Sequence, residues 1–413
     1  MLEKGWGVTR IPLERLTTAF DWHRQFYAVP IRRILKMLAT GRDEYGRAVV
    51  VKFFRGRKPA PNSVVARQYF LMFEQFNSKT GIVLAKPDEL AQLISKEAGC
   101  PARGTADAKD ALDFLSKLFD YRHFYAGQGP RLELPPLPKR TRASARVKTV
   151  VARIKFEDNT IMKNPRRAGG EEKWDSWRFI RELGDCGEQS LKVCPYCNAD
   201  RIYALEIEKT GRLALARSAL DHYYSQRDYP YLGCSLYNLI PACTRCNSPF
   251  KGVFPNHPTG RRIIHPYGDD FHRVAKFTWG NLKNDAVEGK INPRKYAAKI
   301  VPRRSSRGDW ARAREAKKLF QLESVYTQMY ADDACRVAEV MHNVNCTWPE
   351  ETLRQLGFAA TGVALPPIMS HQERKNVRRC VKEMLLHCSF DANKINAEPL
   401  SKFKIDLADE LEA

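Results

Sequence analysis

The sequence has no run of about 18 apolar residues, the length that a membrane-spanning helix requires. It also shows no secretory signal peptide, so we expect a cytoplasmic protein. No internal repeat is evident, and the stretch from Gly41 to Gly46 is too short and too charged for a phosphate-binding loop. These absences leave a globular chain of 413 residues with room for roughly two or three domains.

Acidic residues are scarce relative to basic ones. The 47 Asp and Glu residues are outnumbered by 69 Lys and Arg residues, which gives a formal net charge of +22. Such a surplus attracts polyanions through phosphate contacts and counterion release. A membrane surface would attract the same charge, but no amphipathic anchor or lipidation motif accompanies it. Nucleic acid is therefore the expected partner.

Cysteine is present, but not in the pattern of a disulfide framework. Seven of the eleven cysteines are scattered, which suits a reducing compartment. The other four form two Cys-x-x-Cys pairs, Cys194 with Cys197 and Cys243 with Cys246. Two such pairs supply the tetrahedral sulfur shell that zinc favours and leave no position for water, so the predicted zinc is structural. The alternatives are a redox pair and the chance proximity of buried cysteines.

Between the two pairs, the sequence predicts a β-hairpin. Apolar and polar residues alternate over residues 202–207 and 212–220, and Lys209-Thr210-Gly211 supplies the turn. The second strand ends at Asp221-His222. The pair therefore lies where a strand ends and a loop begins.

A short helix is predicted at the second cysteine pair. The segment from Asn238 to Ala242 leads into this pair, and Thr244 is expected to cap a helix that carries Asn247 and Lys251. The order of elements is strand, strand, helix.

This module resembles the HNH endonucleases of the ββα-metal fold, in their four-cysteine zinc-stabilised form. The resemblance covers about residues 175 to 282 and rests on the strings CPYCN, LDHYY, YPYL, SLYNLIPACTRCNSPFKG and HPYGDDF. Within the family, these sequence motifs are most similar to those of HNH nucleases from bacterial anti-phage defence systems, such as the HNH subunit of Septu. The resemblance implies a metal-dependent endonuclease with DNA as the expected substrate and RNA left open.

Hydrolysis of a phosphodiester requires a nucleophilic water, a sink for the developing charge and a stabilised leaving oxygen. His222 is the expected general base, because a neutral imidazole can take a proton from water near neutral pH. Asp221 is expected to point to the opposite side of the strand end and to bind magnesium or manganese, which carboxylate and amide oxygens suit.

The resemblance assigns roles to further residues. Asn247 matches the third signature residue and would be the second magnesium ligand, although the name-giving sequences have histidine there. Asn238 matches the middle signature residue, which braces the loop behind the base. Lys251 and Arg245 are expected to contact nucleic acid, with Lys251 holding a phosphate oxygen.

Each of these residues also has an ordinary structural explanation. An Asp-His dipeptide is often a turn or a satisfied core pair, and an asparagine such as Asn238 is often a turn residue. A lysine such as Lys251 commonly only solvates an exposed helix face. For the whole chain, the alternative is a zinc-stabilised nucleic-acid-binding or scaffold protein without catalysis.

The expected fold class is α+β, with a central HNH module between mainly helical regions. The predicted divisions are an N-terminal helical domain over residues 1–130, a basic linker over 131–171, the HNH nuclease domain over 172–282 and a helical C-terminal region over 283–413. The acidic end after Asp406 is expected to fray. Helices are predicted to start at Asn62-Ser63, at Pro87 and at Thr105. A further amphipathic helix is predicted from Glu172 to Leu183.

Two basic runs lie outside the module. Lys139 to Lys155 contain seven basic residues and no acidic one, which predicts either an arm along a phosphate backbone or a solvated flexible segment. Arg294 to Arg307 also lack acids and are expected to form a loop near the substrate groove.

The resemblance to defence nucleases also implies regulation. An unregulated nuclease in the cytoplasm would damage its host, so an ATPase or sensor subunit is the expected protein partner.

Overall fold

The computed structural model describes residues 17–56, 58–79, 81–136, 149–158, 160–163, 171–173, 175–185, 190–209, 212–280, 297–303, 307–391 and 394–412. Over these ranges helices predominate, and the strands form small sheets of two or three. The coarse expectation of a mixed helix-and-strand protein is therefore confirmed. None of the helices described is both long enough and apolar enough to cross a membrane.

The N-terminal region is helical where the capping residues predict helices. Ser63 Oγ accepts a hydrogen bond from the Ala66 amide at 3.1 Å, and Thr105 Oγ1 accepts one from the Ala108 amide at 3.2 Å. The apolar faces that follow these caps are buried in the core. The elements are α1 (Thr17–His23), a π-helical turn (Arg24–Ala28), α2 (Val29–Thr40), β1 (Val49–Phe53), α3 (Val64–Lys79), α4 (Pro87–Ala98), α5 (Ala106–Leu118) and α6 (Tyr121–Tyr125).

A three-stranded sheet completes this region. Its other strands are β2 (Gln128–Glu133) and β3 (Val150–Asp158), and β3 lies in the middle, parallel to β1 and antiparallel to β2. The predicted basic linker over residues 131–171 thus contains the central strand of a sheet, because Val150 to Phe156 alternate and bury Ala152 and Ile154. Residues 137–148, with most of the first basic run, lie outside the described residues.

The chain then reaches the predicted module through two short strands and a helix. These elements are β4 (Thr160–Lys163), β5 (Glu171–Lys173) and α7 (Ser176–Gly184). The helix begins later than Glu172 because the Asp175 carboxylate accepts hydrogen bonds from the Trp177 and Arg178 amides and caps it there.

The hairpin of the module is confirmed, but its second strand is shorter than predicted. β6 (Ala204–Lys209) pairs antiparallel with β7 (Arg212–Arg217), and the turn residues Thr210 and Gly211 lie outside the described residues. Just beyond β7, the Ser218 hydroxyl accepts a hydrogen bond from the Tyr203 amide, and the Ser218 amide donates to the Tyr203 carbonyl at 2.9 Å. The chain continues as β8 (Ala219–His222), which pairs with β9 (Leu239–Ala242) instead, and a π-helical turn (Cys246–Lys251) follows. The two predicted strands are thus β6 and β7, whereas Asp221 and His222 lie on a third strand, β8, which pairs with a fourth, β9.

The C-terminal region is helical, as predicted. It begins with α8 (Phe271–Val274) and the antiparallel pair β10 (Ala275–Thr278) and β11 (Lys299–Pro302), so part of the second basic run is a strand and not a loop. The helices that follow are α9 (Arg307–Leu319), α10 (Leu322–Met329), α11 (Ala331–His342), α12 (Glu350–Thr361), α13 (His371–Leu386) and α14 (Ser401–Glu412).

The prediction of a frayed acidic end was wrong. Asp406 lies on α14 with only 1% of its surface exposed. Its carboxylate accepts hydrogen bonds from Arg303 at 2.6 Å, from the Phe277 amide at 2.8 Å and from Lys402. The last helix is thus fixed to β10 by a buried charge network.

We expect Asp406→Ala to lower the free energy of unfolding by about 3–5 kcal/mol, because Lys402 would remain as a buried cation without its carboxylate. Chemical denaturation followed by circular dichroism measures this loss. Glu398→Ala is the matched control, since the exposed Glu398 carboxylate lies 3.4 Å from Arg201 and should contribute less than about 1 kcal/mol. Equal losses in the two variants would contradict the network.

Candidate metal centre and active site

The four cysteines of the two Cys-x-x-Cys pairs form one buried cluster. Their sulfur atoms all lie within 4.8 Å of one another, and the sulfurs of Cys197 and Cys243 are 3.9 Å apart. A tetrahedron with Zn–S bonds of about 2.3 Å requires sulfurs about 3.8 Å apart. The cluster therefore fits a metal ion such as zinc, and it is the one such group among the residues described.

Local backbone turns hold each pair in place. After the first pair, the Asn198 amide donates to the Cys194 carbonyl at 2.7 Å, and Asn198 adopts a positive φ of 52°. At the second pair, the Cys246 amide points to Cys243 Sγ at 3.4 Å. Amide hydrogen bonds to sulfur favour the thiolate form that a metal requires.

Arg245 lies over this cluster and not in an open groove. Its guanidinium forms an ion pair with Asp200 at 3.1 Å and lies 3.8 Å from Cys197 Sγ. Another of its nitrogens lies 3.1 Å from the sulfur of Met329. Four thiolates around one divalent ion carry a net charge of −2, which a nearby cation offsets. The structure thus places Arg245 beside the cysteine cluster, and its expected contact with nucleic acid stays a prediction.

We expect purified protein to contain about one zinc per chain and Cys197→Ser to lose it, because one thiolate of the shell is removed. Metal content by plasma mass spectrometry and the midpoint of thermal unfolding measure the two effects. Cys346→Ser is the matched control, since Cys346 is an exposed cysteine outside the cluster. An unchanged zinc content in Cys197→Ser would overturn the assignment.

Asp221 and His222 lie at a strand end, as the sequence predicts, but that strand is β8 and not the second strand of the hairpin. In the pairing with β9, Asp221 lies opposite Ile240 and His222 lies opposite Leu239. Successive side chains of a strand point to opposite faces. Asp221 therefore turns into the core, where it is 4% exposed, and His222 turns to a half-buried position at the other face.

The imidazole of His222 is held by the loop that follows it. Its Nε2 lies 3.1 Å from the carbonyl oxygen of Gly233. Because a carbonyl only accepts hydrogen bonds, Nε2 must carry the proton, and the neutral ring keeps a lone pair on Nδ1. The edge of the ring meets Tyr121 of α6, with centroids 5.1 Å apart. This tautomer is the one that a general base at Nδ1 needs.

Burial lowers the pKa of His222 below its ordinary value, because desolvation penalises the charged imidazolium. The Gly233 hydrogen bond and the Asp221 charge act in the opposite direction, and the Lys251 charge adds to the lowering. The ring is therefore neutral at pH 7.

Asp221 is enclosed by hydrogen bonds on both carboxylate oxygens. Tyr196 donates to Oδ2 at 2.5 Å, and Lys251 donates to Oδ1 at 2.9 Å. The Lys251 ammonium also donates to the His222 carbonyl at 2.7 Å, and its side chain is only 2% exposed. This geometry matches neither the expectation that Lys251 holds a phosphate oxygen nor the alternative of an exposed helix face, because the ammonium is buried and donates to Asp221 and the β8 backbone.

Asn247 takes no part in this network. It is half-buried, and its amide nitrogen lies 3.4 Å from the Ser248 hydroxyl. No hydrogen bond joins Asn247 to Asp221 among the residues described. A magnesium ion between these two side chains does not fit this arrangement, since both Asp221 oxygens are used and a cation already lies 2.9 Å away.

Asn238 is buried and bridges two loop segments. Its Oδ1 accepts from the Tyr224 amide at 2.7 Å, and its Nδ2 donates to the carbonyls of Tyr224 at 3.2 Å and Leu232 at 3.1 Å. These contacts tie the chain just after His222 to the chain just before Gly233. The geometry is that of a brace behind the histidine.

The N-terminal region contacts the loop around Gly233, between β8 and β9. The Leu236 amide donates to the Val83 carbonyl at 2.9 Å, and the Cys234 thiol donates to the Phe119 carbonyl at 3.2 Å. His23 Nε2 lies 2.7 Å from the Cys234 carbonyl. Residues far away in the chain therefore fix the carbonyl that orients His222.

Sequence reasoning missed three residues of the site: Tyr196, Gly233 and Tyr121. Tyr196 lies inside the first cysteine pair, so its closeness to the second pair followed from the zinc prediction, but its bond to Asp221 did not. Gly233 and Tyr121 carried no local signal, because their roles depend on contacts between distant segments. Comparisons of the chain with protein-family models, curated proteins and solved structures found no match.

We expect Gly233→Ala to lower the free energy of unfolding by about 1–3 kcal/mol, the cost of overpacking a tight site. An added Cβ would lie 2.4 Å from the Phe119 carbonyl oxygen, so the loop must move. Gly184→Ala is the control, because its Cβ would meet nothing closer than 3.9 Å. Denaturant titration measures both, and an unchanged stability of Gly233→Ala would show that the loop is not clamped.

Proposed function

We propose that this protein is an HNH-type nuclease in which His222 is the general base that takes a proton from the attacking water. The observation that carries the proposal is the Nε2 contact to the Gly233 carbonyl, which leaves Nδ1 as the basic nitrogen at a half-buried strand end. A base fixed in one tautomer needs no rearrangement before proton transfer.

The elements around His222 support the same proposal. β8 carries the Asp-His pair, the loop carries Asn238, and β9 leads into the turn that holds Cys246 and Asn247. This order of strand, strand and helical turn supports the resemblance to HNH endonucleases, although the strands are β8 and β9 and not the predicted hairpin. The cysteine cluster joins the start of the module to that turn, which is the structural role proposed for zinc.

The cleavage assay with and without magnesium, described below, tests whether the reaction needs a divalent ion. The arrangement around Asp221 does not fit the expected magnesium site, so we assign no step of the reaction to such an ion. The Lys251 ammonium occupies the position beside Asp221 where the ion was expected.

The substrate that we propose is nucleic acid, with DNA as the first choice. The net charge of +22 favours a polyanion, and hydrolysis by a general base does not require the ribose 2′-hydroxyl. On the resemblance to anti-phage nucleases, we further propose that the protein is the effector of a defence system and that an ATPase or sensor subunit controls it.

One observation favours a second candidate function. In the Asp221–Lys251–Tyr196 network, both carboxylate oxygens of Asp221 accept hydrogen bonds, as is usual for a buried polar group with a purely structural role. A zinc-stabilised nucleic-acid-binding protein without catalysis is therefore the competing proposal, and it predicts binding without cleavage.

We expect His222→Ala to reduce cleavage by about 10²- to 10⁴-fold, the usual contribution of a general base. Purified wild type and variant are incubated with plasmid, linear DNA and RNA, with magnesium and without added divalent ions. His371→Ala is the matched control, since His371 is an exposed histidine at the start of α13. Zinc content and nucleic-acid binding are measured in parallel and should stay at the wild-type level.

Each outcome separates the candidates. Binding of nucleic acid without cleavage by the wild type supports the non-catalytic protein. Cleavage that persists in His222→Ala removes the histidine from the mechanism. If the wild type cleaves without added magnesium while it retains its zinc, no magnesium ion is needed beside Asp221, and Lys251 is the cation at that position.

A further inference from the structure

A cavity of about 530 Å³ lies at one edge of the three-stranded sheet of the N-terminal region. β1 runs parallel to β3 and ends at Phe53, opposite Ile154 in the middle of β3, so β3 continues along the cavity beyond the end of β1. The ends of α5 and α6 close the cavity from the side. Ligand pockets in proteins measure about 300–1,000 Å³, so this cavity has the size of a small-ligand site.

Aromatic rings form part of the cavity lining. Phe54 is 51% exposed, and the Lys155 ammonium lies 4.1 Å from the centre of its ring. Phe156 stacks almost parallel on His123, with ring centres 3.5 Å apart, and Phe53 lies 6.2 Å from Phe156 in a similar orientation. An exposed phenylalanine beside a stacked ring pair offers flat surfaces of the kind on which nucleobases stack.

Cations predominate over acids in the same lining. Four basic side chains, Arg55, Lys117, Arg122 and Lys155, line the cavity with one acidic side chain, Asp120. Arg122 is paired with Asp120, and Lys155 is paired with Glu133 at 2.6 Å.

Two of these cations, Arg55 and Lys117, have no acidic partner in the part of the chain that the structure describes. Among the residues described, no carboxylate lies within ion-pair distance of Arg55 or Lys117, and both side chains are exposed. Such cations are suited to phosphate oxygens.

We propose that this cavity binds a nucleotide, with the base against Phe54 and the phosphate at Arg55 and Lys117. The nucleotide can be free or can be one unit of a single strand, since both present the same base and phosphate. α6 contacts both sites, because the rings of Tyr121 and His222 lie in a T-shaped contact and the next residues, Arg122 and His123, line the cavity. The proposal goes beyond nuclease activity and does not depend on it.

Fluorescence anisotropy without added divalent ions tests the proposal on the full chain. One probe is a labelled single-stranded thymidine oligonucleotide, and the other is labelled AMP. Phe54→Ala is expected to weaken binding roughly tenfold by removing a stacking surface without a change of charge. Arg55→Ala/Lys117→Ala is expected to weaken binding and to flatten its salt dependence.

Matched controls separate the cavity from general charge and hydrophobicity. Lys96→Ala/Lys109→Ala removes two exposed lysines outside the cavity, and Phe358→Ala removes a phenylalanine that is 55% exposed on α12. Both controls should bind like the wild type. Folding of every variant is checked by thermal unfolding.

The outcomes decide the proposal without reference to cleavage. Binding of AMP that depends on Phe54 assigns a free nucleotide, and binding of the oligonucleotide alone assigns a strand. The proposal is overturned if neither probe binds, if Phe54→Ala binds as tightly as the wild type, or if the lysine control loses as much affinity as Arg55→Ala/Lys117→Ala. Loss of cleavage in His222→Ala with cavity binding intact would separate this site from the proposed nuclease centre.

Discussion

The contact of four sulfurs at the centre of the chain is the constraint on which the other features depend. Cys194 and Cys197 come before the hairpin, and Cys243 and Cys246 come after β9, so the cluster brings together segments nearly fifty positions apart. The C-terminal helices then pack on it, since the Tyr326 hydroxyl donates to the Cys197 carbonyl at 2.8 Å. Four thiols with no metal between them would leave this junction without its strongest bonds.

The candidate active site is built by the N-terminal region as much as by the module. β8 and β9 form a two-stranded sheet, which has little stability by itself. α6 covers one side of it, and the Tyr125 hydroxyl donates to the Leu220 carbonyl at 3.2 Å. The loop that orients His222 packs against α3 and α5, with Phe73 and Tyr231 in edge-to-face contact. A shortened chain that contained only the module would lack these supports.

Local signals in the sequence predicted local structure well. Ser63 and Thr105 cap helices because the side-chain oxygen needs only an amide three residues away. The hairpin follows from alternation, but its predicted end was too late, because β7 ends at Arg217 and Asp221 and His222 end the separate strand β8. These features depend on neighbours in the chain, which a single sequence contains.

The failures all involve partners that are distant in sequence. Lys251 is buried because β8 passes next to its turn, and Asp406 is buried because Arg303 and the β10 backbone reach it. Composition marked residues 131–171 as a linker, but charge does not exclude a strand when alternate residues such as Ala152 and Ile154 are apolar and face a core. Local composition does not determine which side chains from distant segments come into contact in the folded chain.

Tyr196 connects the two chemical centres of the module. It lies between two metal-binding cysteines, and its hydroxyl holds Asp221 Oδ2. Stripping zinc would release the tyrosine and, with it, one of the two groups that fix the carboxylate beside His222. In the proposed nuclease, a chelator that removed a metal from the cysteine cluster would therefore lower activity through Tyr196 and Asp221, without any metal in the reaction itself.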